Sequence, residues 1–206
     1  MEEDSNIEVL QAFAKRTGRK IDFKVEQYPL PIYRKIPKFR RSVYIPMDAN
    51  EHIFFVLYGD PYSEIGEQTA FCGVYFKIDI PQNVKLNFRK KNILDKLNLF
   101  VSKDIIKSEN REFDSNVVIT GQDSKITHNI YFDRELQNII MATLKMNFLP
   151  IFSINETNVD FVPNLKGQSH FSILNPQTWI LDDSTIEAWF EIMAKIRRIM
   201  DGKNLV

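Results

Sequence analysis

Four kinds of side chain in this sequence have the means to do chemistry, and their spacing says what each would need. Cys72 is the single cysteine, in a run where Ala70, Val74, Phe76, Ile78 and Ile80 share its parity. A reactive thiolate needs an electropositive, partly exposed setting, and an apolar one raises the thiol pKa instead. Cys72 is therefore expected in the core. His52, His128 and His170 lie 76 and 42 residues apart, and neither H-E-x-x-H nor C-x-x-C occurs, so no metal centre is expected. No G-x-S-x-G or S-x-x-K marks a serine nucleophile. Asp114 and Asp123 flank a short strand-like stretch, and Asp182-Asp183 precede the last helical stretch. Two such carboxylates within a few ångströms would suit acid–base or metal-assisted hydrolysis, whereas singly they suit turns and helix caps.

Cations give the fourth group. Tyr33–Arg41 holds Arg34, Lys35, Lys38, Arg40 and Arg41 with no acid among them, interleaved with Tyr33, Ile36, Pro37 and Phe39. Lys85, Arg89, Lys90 and Lys91 form a second basic segment. Brought together by a sheet, the two would make a positive surface for phosphates or anionic lipid. The competing expectation is an exposed strand edge blunted by charge and proline.

The whole chain is neutral, with 27 basic and 27 acidic residues, so no global field draws it to nucleic acid. Its 206 residues suit one large domain or two small ones, and 44% hydrophobic residues allow a real core. Collagen-like, disulfide-scaffold and disordered chains are excluded. The 7 glycines are never closer than seven positions apart, so no dinucleotide fingerprint or P-loop exists and no cofactor is expected. The acidic, polar N-terminus does not resemble a secretory leader, and the longest apolar run, Ile53–Tyr58, is strand length; a cytoplasmic location is the expectation.

The elements that would position these groups can be read from periodicity. Ser5-x-x-Glu8 suggests a capping box, Ile7, Leu10, Phe13 and Ala14 a helical stripe, and Gly18 its end. Ile21, Phe23 and Val25 alternate with Lys20, Asp22, Lys24 and Glu26, which predicts a half-buried strand. Strands are expected at about 40–46, 52–58, 68–80 and 84–88, antiparallel because no helix separates them. Beyond residue 108 the sequence predicts a short strand at 117–120, a helix capped by Asp133, a hairpin of 148–154 with 159–162, and a last helix after Asp183 with Ile186, Trp189, Phe190, Met193, Ile196 and Met200 inward. The fold class is α+β: an antiparallel sheet subdomain with an N-terminal helix over 1–107, then a helix–hairpin–helix half over 108–206, joined as one continuous unit.

The stretch Glu112-Phe113-Asp114-Ser115-Asn116-Val117-Val118-Ile119-Thr120-Gly121-Gln122-Asp123 resembles a signature of uncharacterised bacterial proteins, roughly F-D-x-x-[FV]-x-[VI]-x-[GS]-x-D followed by a helix, a β-hairpin and a terminal helix. That resemblance implies an order of elements and no activity. Many proteins of that kind carry transmembrane segments, which this sequence lacks. The functional expectation is a non-enzymatic protein that binds a protein partner or itself. The alternatives are an anion-binding module for nucleic acid or a membrane surface, through residues 34–41 and 85–91 (Arg34, Lys35, Lys38, Arg40, Arg41, Arg89, Lys90 and Lys91), and a hydrolase built on Asp114 and Asp123.

Overall fold

A computed structural model describes residues 2–28, 38–61, 70–96, 105–122, 124–146, 150–176 and 178–204. The chain opens with α1 (Glu2–Thr17), whose Leu10, Phe13 and Ala14 are buried and whose C-terminus is closed by Gly18 at φ +67°. The helix begins three residues before Ser5, which therefore lies inside it and not at its cap. Four strands follow in a meander: β1 (Asp22–Gln27), β2 (Phe39–Pro46), β3 (Ile53–Gly59) and β4 (Ala70–Lys77), each antiparallel to the next. β5 (Leu86–Lys90) and a short helix α2 (Ile93–Lys96) come next, then β6 (Ile105–Ile106), α3 (Arg111–Asn116) and β7 (Val117–Gly121).

The second half supplies α4 (Lys125–Phe132), α5 (Arg134–Thr143), β8 (Ile151–Ile154), a single 3-10 turn at Pro163–Leu165, β9 (His170–Asn175) and α6 (Asp183–Gly202). The nine strands of the described residues join one sheet in the order β1-β2-β3-β4-β9-β8-β5-β7-β6, with every neighbour antiparallel. The late strands β8 and β9 insert between β4 and β5, so residues on both sides of position 107 share one sheet. The α+β class holds, with several helices and the long α6 packed on the sheet.

Alternation divides the sheet into two faces. On the helical face, Val43, Leu57, Cys72, Val74, Phe76, Ile173 and Phe152 pack with α1, α5 and α6 in the main core. The opposite face carries Phe54, Val56, Phe71, Tyr75 and Leu174, covered by Val159, Val162 and Leu165 from the stretch between β8 and β9. This corrects the predicted hairpin. Residues 159–162 do not return as a strand; they lie over the second face, and β8 pairs instead with β9, Phe152 opposite Ile173. Gly73 of β4 makes the β4–β9 junction close: a Cβ there would collide with the Ile173 carbonyl oxygen and with Leu174 of β9.

α6 follows the predicted stripe. Ile186, Trp189, Phe190, Met193, Ile196 and Met200 are buried while Glu191, Lys195 and Arg198 are exposed. The cap is one residue earlier than expected: Asp182 accepts from the Thr185 amide at 2.9 Å, and Asp183 instead pairs with Arg16 of α1. Trp189→Ala should therefore lower the unfolding free energy by about 3–5 kcal/mol, and Glu191→Ala by no more than about 0.5 kcal/mol. Denaturant melts of the two variants check this, and equal losses would contradict the assigned face.

Candidate functional site

Of the six predicted cations among the described residues, the structure engages four, Arg40, Arg41, Arg89 and Lys91, with its own groups. Consecutive residues on β2 point to opposite faces, so Arg40 and Arg41 part company. Arg41 is only 4% exposed, on the helical face, with its guanidinium carbon 5.0 Å from the centre of the Phe39 ring. This contradicts the expectation of a solvated head at 41. Arg40 lies on the other face, where its Nε donates to Asp60 Oδ2 at 2.7 Å and its Nη2 to the Tyr28 hydroxyl at 3.0 Å. Tyr28 in turn donates to Asp60 Oδ1 at 2.7 Å, and the Tyr58 hydroxyl lies 3.3 Å from Oδ2. Asp60 is 3% exposed. A buried carboxylate needs such a set of donors to offset its lost hydration. Burial, then the Asp60 carboxylate, pushes both tyrosines above the ordinary phenol range, and the bond to Asp60 raises Arg40 further.

In the second segment, Arg89 grips Asp95 with two bonds of 2.7 and 2.8 Å. That guanidinium is the main reason the Asp95 carboxyl is held down at about 2. Lys91 is half-buried, its ammonium 3.3 Å from the Asp114 carbonyl oxygen. Lys38 and Lys90 are exposed, and Arg34 and Lys35 lie outside the described residues. β2 and β5 sit five strand positions apart, so Lys38–Arg41 and Arg89–Lys91 do not merge into one patch.

One meeting of the two segments does occur. Arg40 and Lys85 line a groove of about 630 Å³ on the face away from the helices, with Lys24, Glu26, Glu156 and Phe161. Its wall is aromatic: the Tyr58 ring stacks on Phe71 at 5.3 Å and on Phe161 at 5.7 Å. Carboxylates answer its cations, Glu26 lying 2.5 Å from Lys24 and 3.8 Å from Arg40. The groove is thus polar and nearly charge-balanced, not a phosphate trap.

Asp114 is a structural acceptor at the start of α3, taking bonds from the Ser108 amide at 3.0 Å and hydroxyl at 2.9 Å. It sits within a helix and not at the predicted turn, and Asp123 lies outside the described residues. Among the described residues no three His, Cys, Asp or Glu side chains gather as a metal site. Cys72 is fully buried, and burial pushes its thiol up to about 12, against nucleophilic use. His170 is buried beside Tyr75, at 5.6 Å between rings, and burial lowers its pKa, favouring the neutral ring. Among the described residues no helix is long and apolar enough to cross a membrane.

The surface that sequence reasoning misjudged is β1. It is the first strand of the sheet and pairs, among the described residues, with β2 alone. Phe23 and Val25 point to the helical face, yet remain 43% and 41% exposed, because the helical layer stops short of them. Their backbone is also turned outward. The Tyr28 amide donates to the Lys38 carbonyl at 2.9 Å, extending the β1–β2 register by one pair. Bonded and non-bonded pairs alternate in an antiparallel ladder. Glu26, Lys24 and Asp22 therefore bond inward, and Gln27, Val25 and Phe23 direct their N–H and C=O groups to the edge away from β2, which no described strand pairs. Alternation predicts the strand, but no local pattern says that it stands at the end of the described sheet.

No protein-family model matches the chain, nor does any curated protein or solved structure.

Two outcomes follow from the ion pairs. Asp60→Asn should cost about 2–3 kcal/mol of stability, because bonds from a guanidinium and two phenols to an ionised acceptor are weakened together; denaturant unfolding measures it. The Asp95 carboxyl, depressed in the folded state, contributes stability that is complete above about pH 4 and lost as pH falls towards about 2. Arg89→Met should therefore lower the melting temperature at pH 7 and flatten its fall between those limits, the two melting curves converging at the acid end.

Proposed function

We propose that this protein works by binding a polypeptide, which adds as a further strand along the outer edge of β1. One observation carries the reading: the outward N–H and C=O groups of β1 coincide with Phe23 and Val25, two large apolar side chains left exposed. Strand addition takes its affinity from main-chain bonds and its specificity from alternate side chains, and β1 offers both on one edge. Capture of a polyanion through the basic segments has less behind it, since Arg40 and Arg89 are committed to Asp60 and Asp95 and Arg41 is buried. Hydrolysis at Asp114 has less still, its Oδ1 being held by Ser108.

A photo-crosslinking phenylalanine analogue at position 23, activated in the cell of origin, tests the reading. It should give a covalent product with a polypeptide, and Val25→Pro should abolish that product. Proline at 25 removes an outward donor and leaves the inward ladder intact, which an edge strand tolerates; an unchanged melt verifies this. No product, or one indifferent to Val25→Pro, would overturn the proposal.

A further inference from the structure

We infer that the polypeptide taken up by β1 is the β1 of a second copy of this chain, paired antiparallel about a two-fold axis at Val25. The inference rests on the strand-addition reading and goes on to name the partner. Its basis is that the strand is complementary to itself. Four symmetric registers would match outward groups to outward groups within β1, centred on Phe23, Lys24, Val25 or Glu26, and the last sets Glu26 against Glu26. Centring on Lys24 sets Lys24 against Lys24 and Asp22 against Glu26, and like charges directly opposed are unfavourable. Centring on Phe23 pairs unlike charges but runs past the start of β1 to Ile21 and Lys20, where Ile21 is packed on the main core.

Centring on Val25 keeps Phe23–Gln27 wholly inside β1. Val25 then faces Val25 and Phe23 faces Gln27 across hydrogen-bonded pairs, with Phe23 and the opposing Val25 as diagonal neighbours. Lys24 faces Glu26 twice, in the non-bonded pairs where side chains approach most closely. Each Glu26 already lies opposite Arg40 of its own β2. The polar face would therefore carry an alternating ladder of Arg40, Glu26, Lys24 and Ser42 across the junction. Such an interface is isologous and closes as a dimer. The axis is normal to the sheet, so the helical layers of both copies fall on one side and the two grooves on the other.

Single-cysteine chemistry reads the register, because Cys72 is fully buried and burial holds its thiol protonated. In this register the two Val25 Cα atoms are about 5.5 Å apart, within disulfide range, whereas the two Phe23 Cα atoms are about 14 Å apart along and across the strands. Val25→Cys should be driven to a disulfide-linked dimer by diamide, and Phe23→Cys should not. Sedimentation of the wild-type chain should show a dimer. Lys24→Glu and Glu26→Lys should each weaken self-association by about tenfold, and mixing the two variants should restore a mixed dimer, since each then faces the opposite charge. Linkage through Phe23→Cys in place of Val25→Cys would overturn the register, and failure of the mixture to recover would overturn the self-pairing. A wild-type chain that stays monomeric at about 100 μM while position 23 still cross-links to a different polypeptide would refute the second copy and leave strand addition standing.

Discussion

Phe71 to Phe76 of β4 are buried on both sides of the sheet, and each side needs its own cover. On one side the cover is α6, with Trp189, Phe190 and Met193 at its centre. On the other it is the irregular stretch carrying Val159, Val162 and Leu165. A strand buried twice must also be flanked twice, because its amides have no water to bond. β3 provides one flank, and β9, arriving almost a hundred residues later, provides the other. The order of the sheet, the placement of the last helix and the closeness enforced at Gly73 all serve that one strand.

Polar groups inside the second face show how the cover is fixed in place. Ser153 and Ser172 share a 2.7 Å bond between facing positions of β8 and β9. Thr157 donates to the hydroxyl of the buried Tyr75 at 3.1 Å, and Asn155 reaches the Val84 carbonyl and the Ser169 hydroxyl. An apolar lid over an apolar sheet can slide; one whose buried donors each require a particular acceptor cannot do so without leaving a group unpaired. Asn155 sits at φ +53°, a conformation in which asparagine is enriched, and this turns the chain out of β8 and onto the face.

Long amphipathic patterns were legible in the sequence and short ones were not. The stripe from Ile186 to Met200 and the alternation around Cys72 identify α6 and the burial of β4, because each repeats its period several times. His170–Asn175 escaped notice since serine occupies Ser172, a core position satisfied only by a serine on the neighbouring strand. Val159–Val162 has the composition of a strand but packs as a cover, a difference made by tertiary contacts that no local window contains. The basic run 34–41 reads as a single charged patch, yet Asp60 and the parity of β2 distribute Arg40 and Arg41 to separate faces and separate partners. Phe23 and Val25 read as half-buried because alternation reports the strand and not where the sheet ends.

The pairing of Cys72–Lys77 with His170–Asn175 also sets when the fold can close during synthesis. A ribosome delivers β3 and β4 long before β9 or α6 exist, so their apolar faces emerge without the neighbours that will bury them. Contacts so distant along the chain slow folding, because loop-closure entropy is lost before they form. At roughly 5–20 residues per second the interval between β4 and α6 lasts on the order of ten seconds. Through that window the run Ile53-Phe54-Phe55-Val56-Leu57-Tyr58 can pair with β2 and β4, but its faces wait for the covers that α6 and the stretch after β8 supply.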